Sequence, residues 1–126
     1  MNNAVTYEDR LLEGWEDVHK KAQLSLLILL ALKESPKHVA QIKQFILDAT
    51  HGLQTTDEQS LYRSLRRFTS AEMVEYEETQ SKSGPNKKLY KLTEIGESVL
   101  QKFAKRNVID VLYSSKIRQL VERSAK

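Results

Sequence analysis

The run at residues 24–32, LSLLILLAL, constrains this chain more than any other feature, because Ser25 is its only polar residue. It is about half the ~20 residues that a membrane span needs. It also lies too far from the N-terminus for a signal peptide and lacks a small-residue cleavage site. A segment that is apolar nearly all round has to be enclosed by other elements. In a chain of 126 residues that means one core, with little left over for a second.

The periodicity around this run predicts what encloses it. Residues 7–33 read as a helix, with Leu11, Leu12, Trp15, Val18, Ala22 and Leu26 recurring at spacings of three and four. Gly14 is the expected bend between an N-terminal arm and the core part of the helix. Ser35 and Pro36 end it, because proline disfavours helical geometry in the residue before it. A short helix follows over 37–48, with Val39, Ile42, Phe45 and Ile46 inward, and residues 50–56, containing Gly52, form a turn. Thr56 is the expected N-cap of a third helix running to Ser70, with Gln59 at the capping-box position and Leu61, Leu65 and Phe68 as the buried stripe.

The period then changes from helical to alternating. Residues 73–78 and 88–92 read as strands joined by a turn that holds Ser83, Gly84, Pro85 and Asn86. Thr93 caps a last helix carrying Ile95, Val99, Leu100 and Phe103, and its apolar stripe goes on through Val108, Ile109, Leu112, Ile117, Leu120 and Val121. Three helices, a hairpin and a helix make a mainly α fold with a small two-stranded β wing. This is a winged helix-turn-helix with extra N- and C-terminal helices. The expected division is an arm at 1–21, the winged domain at 22–93 and a dimerisation segment at 94–126.

Charge distribution points to a polyanion partner, although the net charge is only +3. Residues 59–71 hold three arginines and no acid, residues 79–90 hold three lysines and no acid, and Lys91 adds a fourth lysine. Residues 1–36, by contrast, hold six acids and four bases. Two acid-free basic segments folded side by side form the footprint of a nucleic-acid site. With Leu61, Leu65 and Phe68 inward, a rotation of about 100° per residue turns Thr56, Gln59, Ser60, Arg63, Ser64 and Arg67 outward. Gln bonds adenine bidentately, Arg bonds guanine, and Ser or Thr serves base or phosphate. Tyr62 sits at the edge, its ring over the core and its hydroxyl free for a phosphate. Arg66 is open to two roles, DNA contact or an ion pair with Glu75 or Glu77. Lys82, Asn86, Lys87 and Lys88 surround the wing tip, where their part is electrostatic.

The terminal helices present more apolar surface than one subunit can cover, through Leu11, Leu12, Trp15, Val99, Phe103, Ile109 and Leu112. A homodimer is the expected answer. A two-fold pair would set two reading helices about 34 Å apart and predict a palindromic operator in double-stranded DNA. Cysteine is absent, and His19, His38 and His51 are scattered, so no metal and no cofactor is expected. No P-loop, nucleophile elbow or metal spacing occurs, which argues against an enzyme. A cytoplasmic regulator is the leading expectation; the alternative is a winged-helix protein-interaction module or adaptor without DNA binding.

The runs LSLLILLAL at 24–32, QSLYRSLRRF at 59–68, MVEYE at 73–77 and GPNKKLYKLTEIG at 84–96 resemble the PadR family of transcriptional regulators. The resemblance covers about residues 22–103. It implies a dimer built through the first and last helices, acting as a repressor that a small-molecule effector relieves, with a reading helix at 57–70 and a wing at 79–88. Gln59 stands where the family often has Gly, and Arg63 where it often has Pro, so the operator sequence does not carry over. Drug-binding members use a tryptophan on the last helix, whereas the only tryptophan here is Trp15. Trp15, Phe103 and Tyr113 are accordingly read as packing residues, with a cleft between subunits as the alternative.

Overall fold

The computed structural model describes residues 4–125. Helix α1 spans Tyr7–Glu34, α2 Val39–Ala49 and α3 Glu58–Ser70; strands β1 (Val74–Thr79) and β2 (Lys87–Leu92) form the hairpin, and α4 (Glu94–Phe103) follows. The chain continues as a π-helical segment, Ala104–Leu112, and ends in α5, Ser115–Ser124.

Helix α1 starts at a capping box, in which Thr6 Oγ1 accepts from the Asp9 amide at 3.0 Å and Asp9 accepts from the Thr6 amide at 3.1 Å. It is unbroken through Gly14, so no change of element separates an arm from the core helix. Its C-terminal third, with Leu27, Ile28, Leu29, Ala31 and Leu32 buried, is the centre of the core, as its apolar run requires. Val39, Ile42 and Ile46 of α2, Leu61 and Leu65 of α3, Val74, Tyr90 and Leu100 close around it. Phe45 and Phe68 are half-buried at its rim.

Lys37 does not begin α2. Its amide donates to the Tyr90 carbonyl at 3.0 Å and its carbonyl accepts from the Tyr90 amide at 2.9 Å, an isolated antiparallel bridge to the edge of the hairpin. The side chain is buried, and Nζ donates to the Ala31 carbonyl at 2.7 Å, to Ser35 Oγ at 2.9 Å and to Glu34 Oε1 at 3.0 Å. An ammonium group thus satisfies the carbonyl end of α1, where a cation is favoured by the helix dipole.

Antiparallel pairing runs from Val74 opposite Leu92 to Thr79 opposite Lys87. Side chains alternate across the two faces. Val74, Tyr76, Tyr90 and Leu92 share one face, where the rings of Tyr76 and Tyr90 lie 5.5 Å apart. Thr93 links hairpin to α4: Oγ1 accepts from the Gly96 amide at 3.0 Å and donates to the Glu72 carbonyl at 2.5 Å. The C-terminal segment, expected as one helix or two, is divided: the π-helical segment ends at Tyr113 and Ser114 caps a new helix, accepting from the Ile117 amide at 3.4 Å.

Among the described residues no helix is long and apolar enough to cross a membrane.

Candidate nucleic-acid interface

Helix α3 is capped by Asp57, one residue later than the expected Thr56. Asp57 Oδ1 accepts from the Ser60 amide at 2.7 Å. Gln59 therefore falls outside a capping box and is free for another partner. The two Ser60 hydrogen bonds, helped by Arg63, hold the Asp57 carboxyl below its ordinary range. This places a fixed negative cap on the N-terminus of α3, which the helix dipole favours.

The turn before α3 is held by a small polar network. Thr50 Oγ1 accepts from the Gln54 amide at 3.1 Å, and the Gly52 amide donates to the Leu47 carbonyl at 2.8 Å from a left-handed backbone, φ 79°. Gln54 is buried. Its amide group accepts from Gln23 Nε2 at 3.0 Å and donates to the Lys20 carbonyl at 2.9 Å, tying α1 to the entry of α3.

Gln59, Tyr62, Arg63, Arg66, Arg67 and Ser70 are exposed along α3, and Thr56 and Ser60 are half-exposed at its start. Ser64 is a correction: expected outward, it is buried at 5% exposure. It lies three residues after Leu61 and one before Leu65, and so on the inner side of the helix; its hydroxyl accepts from Arg67 Nη2 at 3.4 Å. The Arg67 guanidinium lies 6.0 Å from the Phe68 ring, which steadies it at the surface.

Arg66 finds no ion pair with Glu75 or Glu77 among the described residues, and Glu75 instead pairs with Lys91 at 3.5 Å across the hairpin. Arg63 and Arg67 are likewise unpaired there. Three guanidinium groups thus stand on one helix face, none in an ion pair among the described residues, with Asp57 near enough to feel the charge of Arg63. Arg66 is also close enough to Tyr90 to oppose the upward shift of its phenol, which burial causes and Tyr62 and Tyr76 reinforce.

The wing folds toward the same helix. A groove of about 660 Å³ is lined by Glu58 and Tyr62 of α3, by His38 and Val39 at the start of α2, and by the wing tip from Ser83 to Lys88. His38 anchors it, with Nδ1 donating to the Lys88 carbonyl at 3.0 Å. Lys82, Asn86, Lys87 and Lys88 are exposed, Lys88 with its ammonium 4.5 Å from the centre of the Tyr76 ring. The wing tip and α3 thus meet across this groove through Glu58 and Tyr62, while Arg63, Arg66 and Arg67 line a separate open surface of α3 with Ser70 and Ala71. Gln54 and His38 were not foreseeable from the sequence, since neither carries a local motif.

Leu11, Leu12, Trp15, Val99, Phe103, Ile109 and Leu112 are all exposed, Trp15 at 76%. They lie on α1, α4 and the π-helical segment, away from the buried core.

Comparison with known proteins matches a family profile described as the transcriptional regulator PadR-like family at residues 28–102, more than half of the chain. Among solved structures, a PadR family transcriptional regulator from Eggerthella lenta superposes with a TM-score of 0.72 at 23% identity, covering 91% of this chain and 96% of that one. A PadR-like transcription factor from Bacteroides fragilis gives 0.61 at 26% identity, covering 87% and 97%. Bacillus subtilis PadR in complex with operator DNA gives 0.61 at 20% identity, covering 67% of this chain and 48% of that protein. Comparison with curated proteins gives no match. The five helices and antiparallel hairpin are the winged helix-turn-helix fold of these structures. The profile takes in the buried end of α1, helices α2 and α3, the hairpin and α4 in one stretch, and on that match the chain belongs to the PadR-like family of transcriptional regulators.

Proposed function

We propose that this regulator binds double-stranded DNA in a sequence-specific way, as a cytoplasmic homodimeric repressor on a palindromic operator. The observation that carries the reading is the basic character of α3 and of the wing next to it: Arg63 and Arg67 are exposed and in no ion pair among the described residues, Lys82, Lys87 and Lys88 are exposed on the wing, and the two elements meet at a groove lined by Tyr62, Lys87 and Lys88. Bacillus subtilis PadR, similar in fold, is solved in complex with operator DNA, which supports DNA as the partner.

On this reading α3 enters the major groove, with Gln59, Arg63 and Arg67 meeting base edges and Thr56, Ser60 and Tyr62 meeting phosphates. Ser64, being buried, drops out of the contact set. Lys82, Asn86, Lys87 and Lys88 meet the backbone beside the wing, which positions the protein without reading sequence. The exposed apolar residues of α1, α4 and the π-helical segment join two subunits, and an effector that relieves repression acts by moving those helices.

Selection of bound sites from random duplexes, followed by titration across salt, tests the reading. A palindromic consensus and a steep, linear fall of log affinity with log salt are expected. A flat salt response, with no duplex bound above micromolar strength, sinks it in favour of a protein-interaction module.

A further inference from the structure

A second basic surface lies on the flank of α3 away from the wing. Lys20 and Lys21 of α1 and Lys43 of α2 line a groove with Thr55, Asp57 and Ser60 at the start of α3. Lys21 and Lys43 are exposed and Lys20 half-exposed, and none of the three forms an ion pair among the described residues. Asp57 is the one carboxylate lining the groove, and it is already engaged by the Ser60 amide. The surface therefore carries an excess of positive charge contributed by two helices far apart in sequence.

Its placement relative to α3 is what gives it a use. Glu58 and Tyr62 line the wing groove, whereas Asp57 and Ser60 line the lysine groove. At about 100° per residue these two pairs lie on opposite flanks of the helix, with Gln59, Arg63 and Ser70 between them on the outer face. A helix of about 10–12 Å diameter nearly fills a major groove about 12 Å wide, so a phosphate strand runs along each of its flanks. The wing lysines serve one flank only. Buried Gln54 fixes the other, because its hydrogen bond to the Lys20 carbonyl holds the lysine-bearing turn of α1 against the entry to α3.

Resting on the DNA-binding reading above, we infer that Lys20, Lys21 and Lys43 form a second phosphate clamp, gripping the strand opposite the one the wing meets. The clamp adds affinity and orientation but no sequence discrimination, since phosphates are the same at every base pair.

The test uses the full chain and a mixed-sequence duplex of about three helical turns, beside the best site recovered from a random pool. For the triple variant K20Q/K21Q/K43Q the slope of log affinity against log salt falls by about 0.9 for each lysine that meets a phosphate, and affinity near 0.15 M salt drops at least tenfold. The drop is equal for the selected and the mixed duplex, which separates it from the Arg63→Ala/Arg67→Ala variant, whose loss falls on the selected site. Amine-reactive labelling of the wild type gives a readout that needs no variant to fold, with all three lysines protected by saturating duplex. Unchanged slope and affinity, or lysines labelled equally with and without duplex, overturn the clamp while wild-type binding leaves the DNA-binding reading standing. Absence of duplex binding by the wild type overturns both.

Discussion

Gly96 in α4 rests directly on the main-chain carbonyl of Met73, and a β-carbon added there would overlap that oxygen. Thr93 holds the same junction, its amide donating to the Met73 carbonyl at 3.1 Å. The Thr-x-x-Gly spacing after the wing is thus a packing device that lets α4 close on the turn between α3 and β1. Gly96→Ala should lower stability by about 3 kcal/mol or more, since the obstacle is backbone and cannot rotate away. Gly14→Ala should do the opposite, raising it by about 0.5–1 kcal/mol, because its site in α1 is open. Thermal unfolding of the pair checks both signs.

Buried Lys37 satisfies the end of α1 and bridges to Tyr90 through its backbone. Lys37→Met keeps the bridge and the stem but removes the ammonium, leaving the Ala31 carbonyl with the long 3.4 Å bond from the Ser35 amide. A loss of about 1.5–3 kcal/mol is expected in denaturant titration, the worth of a hydrogen bond from a charged donor. A neutral result would mean that water replaces the ammonium group.

Two titrations bracket the pH range of stability. The Asp57 carboxyl is depressed by its Ser60 hydrogen bonds, so its contribution is present above the unfolded value near 3.9 and is lost as pH falls through that value toward the folded one. Asp57→Asn, which keeps the cap, should flatten stability against pH in this acid window. Tyr90 is raised by burial, so its neutral form stabilises the fold fully below about pH 10, and that stability is lost as pH rises from there through the folded value. Tyr90→Phe should flatten the alkaline limb. Denaturant midpoints across both windows test the two signs separately.

Arg63 and Arg67 are both exposed, and their removal leaves the core untouched. The double change to Ala should cost roughly 1–3 kcal/mol of discrimination for each arginine that bonds a base bidentately, with the melting temperature nearly unchanged. Anisotropy titration on selected and scrambled duplexes reads the discrimination, and calorimetry reads the fold. Equal affinities of wild type and variant on the selected duplex would remove both arginines from the base-reading set.

If the exposed apolar residues join two subunits, a charge placed among them separates the subunits without unfolding either. Leu12→Glu with Phe103→Glu should give a monomer by light scattering with an unchanged far-ultraviolet spectrum. A wild type that is itself monomeric at working concentration would refute the dimer outright.

The helices and the hairpin were legible in the sequence because their signals are local. Leu61 and Leu65 recur at helical spacing, Thr93 caps α4 as expected, and the turn residues 83–86 lie between two alternating runs. Ser64 was misplaced because its position lies near the boundary between faces, and only the packing of α3 in the core decides which side is inward. Thr56 and Asp57 are both good caps; the hydrogen bond to Ser60 chose between them.

What the chain alone determined is the order of elements and the sign of charge on each, since periodicity and capping act over a few residues. The tertiary structure decided which charges became neighbours. Lys37 turned inward because Tyr90, 53 positions later, offered its backbone a partner and the end of α1 offered its ammonium an acceptor. Lys20 met the start of α3 only through Gln54. Such encounters depend on chain closure over long separations, and no local pattern records them.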